Sequence, residues 1–168
     1  KADVLQSIYY FKDKKNKKSI KRHFEFYEPR TVHESSLSPC IYSIIASELG
    51  KREKAYQLYL RTSRLDLDNY NFDTDEGLHI TSMAGTWMSV VKGFAGFEVK
   101  NDKIHFRPFL PDKWHSYNFK IIFRNRRIKV HIGKEKLKFT LEKGKALKIS
   151  VYGQDRLIEQ NSSITLKK

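Results

Sequence analysis

Apolar residues keep a helical interval from Ala2 to about Ala95 and an interval of two from there onward. In the first half Ile41, Ile44, Ile45 and Leu49 fall on one helical face, and Gly50 follows where a left-handed helix end wants a residue without Cβ. A second helix is predicted from Lys51 to about Leu65, with Ala55, Leu58, Tyr59 and Thr62 on its apolar side and Lys/Arg opposite. The short link between the two predicts an antiparallel hairpin. A third and most regular run, Ile80, Met83, Ala84, Trp87, Met88 and Val91, precedes Gly93 and Gly96 and predicts a deeply buried helix.

Past Gly96 the alternation predicts strands at Phe97–Val99 and Lys103–Phe106 around an Asn101-Asp102 turn, interrupted by Pro108 and Pro111. Four further segments, 117–124, 127–132, 136–142 and 147–152, are separated by turn-forming pairs and predict an antiparallel meander. The pattern therefore divides the chain into a helical part, 1–96, and an all-β part, 97–168. Helical periodicity is already running at Ala2-Asp3-Val4, and so few helices cannot easily enclose a core. The expectation is that the natural protein extends upstream.

Composition narrows this picture. The 168 residues contain 39% hydrophobic residues, enough for a packed core. No stretch approaches the roughly 18 to 20 apolar residues of a spanning helix, so no membrane partner is expected. The single Cys40 forms no internal disulfide and no multi-cysteine metal site, and it suits a reducing cytoplasm. Following Pro39 at the start of an apolar helix, it reads as a buried thiol and not as a nucleophile.

A net charge of +14 raises the question of nucleic acid. Residues 1–95 hold 15 Lys/Arg against 12 Asp/Glu, and residues 96–168 hold 18 against 7. In the second half the cations alternate with apolar residues, as in Arg127-Ile128-Lys129-Val130, which is the wet face of half-buried strands. No nucleic-acid partner is expected. The denser Lys12–Lys18 run reads as a solvated loop between helices.

Two polar clusters carry candidate chemistry. Tyr27–Pro39 packs Arg30, His33, Glu34, Ser35, Ser36 and Ser38 immediately before an apolar helix. Ser35, Ser36 and Ser38 are candidate helix caps. The same hydroxyls, with the free N–H groups of a helix start, could instead hold an anion. In Asp73–Trp87, Asp73 and Thr74 can cap, Asp75 and Glu76 suit a first helical turn, and His79 stands alone on an apolar helix, as a satisfied core residue or as a ligand. Ala84 and Gly85 imply close approach of another element or of a sugar ring. Neither a Gly-rich phosphate loop nor metal-ligand spacing of the six His is present. Glu34 with Asp75 or Glu76 could form a carboxylate pair, whose separation the sequence does not give.

The segments YEPRTVHESSLSPC (27–40), AYQLYLRTSRLDLDNY (55–70) and DTDEGLHITSMAGTW (73–87), in that order, closely resemble glycoside hydrolase family 65, whose members include maltose, trehalose, kojibiose and nigerose phosphorylases. The resemblance is strong over residues 2–96 and covers the β half only in position and character. It implies a fold of helices and sheet in two parts: the last helices of an (α/α)6 barrel, then a small antiparallel β-sandwich. For function it implies inverting phosphorolysis of an α-glucosidic disaccharide, maltose by default, to β-glucose 1-phosphate and the released sugar. A Glu protonates the glycosidic oxygen while inorganic phosphate attacks the opposite face of the sugar, so phosphate is a co-substrate and no cofactor or metal is implied. Ser35, Ser36 and His79 match the family's phosphate-binding positions, and His33 and Glu34 lie beside them on the substrate side.

The general-acid Glu belongs to a segment upstream, so no catalytic residue is assigned here and this chain alone is expected to be inactive. The family's Lys-Gln sugar-binding pair precedes Ala-Asp-Val; only Lys1 precedes Ala2-Asp3-Val4 here, which leaves that contact in doubt. A homodimer is implied by resemblance only. Two other functions remain open at this point: a family 65 hydrolase using water, and a non-catalytic module whose basic β half binds polysaccharide or nucleic acid.

Overall fold

A computed structural model of the chain describes residues 2–11, 16–33, 37–70, 72 and 74–167. They form two compact units, Lys1–Gly93 and Phe94–Lys168, the first helical and the second all-β.

The helical unit contains α1 (Ala2–Tyr10), α2 (Lys17–Tyr27), α3 (Ser38–Glu48), α4 (Arg52–Ser63), the single turn α5 (Leu65–Asp68) and α6 (Ile80–Met88), which runs on into a π turn over Ser89–Phe94. Lys17 and Lys18 belong to the first turn of α2, which Asn16 caps by accepting from the Ser19 N–H at 2.7 Å, so that end of the Lys-rich run is helix and not loop. Every residue of α3 from Ser38 to Ala46 is buried, because α1, α2, α4 and α6 all pack against it. Its end is a Schellman motif. Gly50, at φ +79°, donates to Ser47 C=O at 3.0 Å and Lys51 donates to Ala46 C=O at 2.8 Å. That left-handed residue turns the chain back, and α4 packs along α3 through Ala55, Leu58 and Thr62, as the hairpin expectation required.

The third predicted helix departs from expectation. In α6 only Ser82 and Gly85 are buried, while Ile80, Met83 and Trp87 are 69%, 48% and 51% exposed. The reason is steric. The helix meets α3 and α4 with its small residues, and a Cβ on Gly85 would stand 2.8 Å from Cys40 Cβ. So close an approach turns the bulky stripe outward. The helix also starts later than Asp75 and Glu76 suggested, because Thr74–Glu76 form a separate 3-10 turn and His79 is the residue before α6.

In the second unit, β1 (Glu98–Lys100) and β2 (Lys103–Phe106) form the predicted hairpin around Asn101 and Asp102, both at positive φ. β3 (Ser116–Phe123), β4 (Arg126–Gly133) and β5 (Lys136–Lys143) make an antiparallel meander extended by β8 (Ser163–Lys167). The fourth predicted meander strand is not part of it. β6 (Leu147–Val151) leaves to pair in parallel with β2, and β7 (Gln154–Ile158) returns beside β6, giving a second sheet in the order β1-β2-β6-β7. The two sheets meet through Phe106 and Phe139, both fully buried with ring centroids 5.0 Å apart. Ile128, Val130, Ile132, Leu137 and Leu141 fill the space from the meander side at the predicted interval of two. The sandwich is therefore antiparallel except for one parallel pair.

Candidate functional site

After α2 a 3-10 turn at Glu28–Arg30 releases the chain into an extended stretch toward α3. Thr31 Oγ1 donates to Tyr27 C=O at 2.8 Å and pairs with the Tyr42 hydroxyl, also at 2.8 Å, which fixes the stretch to α3. His33 then takes a left-handed conformation at φ +57°. Its Nδ1 lies 3.0 Å from Ser38 Oγ, its ring meets Tyr42 edge-on at 4.7 Å, and its backbone carbonyl accepts from Arg61 Nε at 3.4 Å and Nη2 at 3.2 Å. Burial, reinforced by the Arg61 guanidinium, lowers its pKa to about 4. The imidazole is therefore neutral near pH 7, and it is not a cation available to an anion.

Ser38 is the first residue of α3. The helix's N-cap is Leu37, and the Ser38 hydroxyl engages His33 instead of capping, which corrects the cap reading for this serine. Lys1, Glu34, Ser35, Ser36 and Asp73 lie outside the described residues. The residues on either side of the serine pair, His33 and Leu37–Ser38, are held as above. Cys40 is buried as expected; burial raises its thiol pKa, and Sγ donates to Leu37 C=O at 3.1 Å.

His79 immediately precedes α6. Asp66, on α5, accepts from the His79 backbone N–H with Oδ2 at 3.1 Å and meets the ring Nδ1 with Oδ1 at 2.5 Å. That hydrogen bond holds the Asp66 carboxyl below the usual carboxylate range. His79 is thus neither a core residue nor a member of the apolar helical face, but a partly exposed imidazole paired with a carboxylate. Next to it on α5, Asp68 is engaged by Arg64 through two bonds of 2.7 and 2.5 Å.

The helix directions relate these two regions. A Cβ on Gly85 would touch Cys40 near the start of α3, and one on Gly93 would touch Ser47 Oγ at 3.1 Å and Ile44 Cα at 3.5 Å further along it. α6 with its π turn therefore runs parallel to α3, and both helices begin at the same end of the layer. α4 runs the other way and brings its last turn to that end, where Thr62 C=O accepts from Ser82 Oγ at 2.7 Å. From His79 to Gly85 is about 9 Å of helix rise, and Cys40 is three residues beyond Leu37. Leu37, where α3 begins, and the imidazole thus enter their helices side by side. His33 and His79 are both tied to residues 61–66, His33 through Arg61 and His79 through Asp66.

Arg61 and Asp66 were not singled out from the sequence. Asp66 stands thirteen residues before its partner, and nothing in the Leu-Asp-Leu-Asp run marks it off from Asp68. Among the described residues no group of three or more His, Cys, Asp and Glu could hold a metal ion, and no helix is long and apolar enough to cross a membrane. A separate groove lined by Phe24, Glu25, Glu28, Lys51 and Lys54 lies at the start of α4, the opposite end from Thr62. It is bridged by the ion pairs Lys51–Glu25 and Lys54–Glu28, each at 3.0 Å.

Comparison with known proteins covers nearly all of the chain. Residues 1–88 match the glycosyl hydrolase family 65 central catalytic domain, and residues 97–156 match the family's C-terminal domain. Maltose phosphorylase of Bacillus subtilis (strain 168) is 52% identical over 158 residues, covering 94% of this chain and 21% of that protein. Alpha,alpha-trehalose phosphorylase of Thermoanaerobacter brockii is 40% identical, covering 94% and 20%. A solved structure described as "Putative kojibiose phosphorylase from human microbiome" superposes with a TM-score of 0.91 at 38% identity, over 98% of this chain and 24% of that one. The chain thus spans about a fifth of the length of the relatives it matches. With both of the family's domains represented in order and relatives this similar across nearly every residue, the chain belongs to glycosyl hydrolase family 65.

Proposed function

We propose that this chain is part of an inverting disaccharide phosphorylase that cleaves an α-glucosidic disaccharide with inorganic phosphate, releasing β-glucose 1-phosphate and a second sugar. Residues 1–96 supply the last helices of an (α/α)6 catalytic barrel, and residues 97–168 are the C-terminal β-sandwich domain. The outward Ile80–Met83–Trp87 stripe of α6 supports the barrel, since it is a face that further helices would cover. Ser35, Ser36 and His79 form the phosphate cradle. The parallel course of α3 and α6 supports this most strongly, because it brings Leu37, which follows the serines in sequence, and the imidazole to one end of the helix layer.

In this mechanism the general-acid Glu, outside this chain, protonates the glycosidic oxygen as phosphate attacks the anomeric carbon from the other side. Phosphate is a nucleophile without a carboxylate base, so the pocket's task is to hold and orient it. The Ser35 and Ser36 hydroxyls and the His79 imidazole do this by hydrogen bonds to its oxygens. Lys1, Glu34 and His33 are the residues assigned to the sugar, His33 as a neutral ring. Maltose is the first substrate to try, given the similarity to a maltose phosphorylase. No cofactor or metal takes part, and the whole enzyme is a cytoplasmic homodimer.

The test is turnover by the full-length protein on a panel of α-glucobioses, with and without phosphate. Phosphate-dependent formation of β-glucose 1-phosphate is expected, and replacing Ser35 and Ser36 together by Ala should raise KM for phosphate by about tenfold or more. Glucose release that ignores phosphate would instead identify a hydrolase and overturn the proposal.

A further inference from the structure

We infer that Asp66 is a positioning residue for phosphate, acting through His79: its carboxylate accepts from Nδ1 and so fixes the orientation in which the imidazole meets the anion through Nε2. This rests on the reading of His79 as a phosphate ligand.

The argument starts from the two oxygens of one carboxylate. Oδ2 accepts from the His79 backbone N–H at 3.1 Å, which by itself would be a helix-end bond. Oδ1 meets the ring of the same residue at 2.5 Å, which such a bond does not need. Together they fix the backbone and χ1 of His79 and select the Nδ1-protonated form. In that form the neutral ring carries its lone pair on Nε2, which accepts from a protonated oxygen of phosphate.

The surroundings keep Asp66 for this task. α5 is a single turn with only Leu65 buried, so its contribution to the core is small. Arg64, the cation that could compete for Asp66, is occupied by both oxygens of Asp68. The carboxylate that orients the ring and the one that binds the arginine thus alternate along the turn.

The experiment is a double-mutant cycle on the full-length enzyme, reading KM for phosphate, KM for the disaccharide, kcat and Tm for Asp66→Asn, His79→Asn and the pair. His79→Asn keeps an amide donor near the Nδ1 position and removes Nε2. Each single variant should raise KM for phosphate about tenfold, equivalent to about 1.4 kcal/mol, with the KM for disaccharide within about twofold of wild type. The double variant should be no weaker than His79→Asn alone, because on this inference Asp66 acts on the anion only through His79. If His79→Asn leaves KM for phosphate unchanged, the reading of His79 as a ligand fails. If His79→Asn raises it but Asp66→Asn does not, or the two effects add, Asp66 only supports the fold and this inference is overturned. Should Asp66→Asn fail to accumulate as folded protein, Asp66→Glu takes its place in the cycle with the same criteria.

Discussion

Replacing Gly85 by Ala sets two opposing effects against each other, and the structure decides between them. In the middle of a helix the change should stabilise by about 1 kcal/mol on propensity alone. The added methyl would lie 2.8 Å from Cys40 Cβ, 2.9 Å from Cys40 Sγ and 3.3 Å from Thr62 Cγ2. Carbon atoms in contact prefer about 3.5 to 4.0 Å, so the shortfall approaches about 1 Å. Rotamer changes cannot relieve it, since Cys40 Cβ is fixed by its own backbone in a fully packed helix. α6 must move away from α3, and overpacking of this kind costs about 1 to 3 kcal/mol. Taking the middle of that range, about 2 kcal/mol, against about 1 from propensity leaves an expected net loss of about 1 kcal/mol. For a domain of this size that lowers Tm by a few degrees, on the order of 2 to 4 °C for each kcal/mol, with less in a larger cooperative unit. Scanning calorimetry of the full-length protein reads it, and adding Cys40→Gly, which removes the colliding Cβ, should make the double variant more stable than the sum of the singles. An unchanged or raised Tm in Gly85→Ala would show that propensity wins and that the helices are not in contact there.

Two further outcomes follow from the described contacts. His33 has a folded pKa of about 4 against an ordinary value of 6.5, so between those limits the unfolded chain binds the extra proton and stability falls as pH falls from about 6.5 to 4. His33→Asn should flatten that part of the acid profile, by up to about 1 to 2 kcal/mol once the ring's partial exposure is allowed for, measured as denaturant midpoint against pH; an identical slope in both proteins would contradict it. Phe106→Ala should destabilise the sandwich by about 3 to 5 kcal/mol, because the ring is fully buried between Phe97 and Phe139, and should leave KM for phosphate of the remaining folded enzyme unaltered.

Local signals were well legible in the sequence. Gly50 announced the end of α3, Asn101-Asp102 the first hairpin, and the interval of two the inward residues of β4 and β5. What escaped was set by partners distant in the chain. The apolar stripe of α6 predicted burial, yet which face meets its neighbours depends on Gly85 fitting against Cys40, a contact no periodicity contains. β6 carries the same alternation as the meander strands, and only the hydrogen-bonding partner, β2, distinguishes it. β7, beyond the Tyr152-Gly153 turn, was missed although both residues take the positive φ of a tight hairpin. At the candidate site His79 was recognisable by type, but its pairing with Asp66 was not.

The parallel pairing of β2 with β6 also dictates the order in which the β unit can form. Ile104 must meet Ile149, with the entire β3–β5 meander synthesised in between. Adjacent hairpins close quickly, but this junction carries the entropy of a long intervening loop, and such non-local contacts slow folding. On the ribosome the β1–β2 ribbon therefore waits with one bare edge until residues 147–151 emerge. That interval is when the nascent domain is most open to mispairing with another chain.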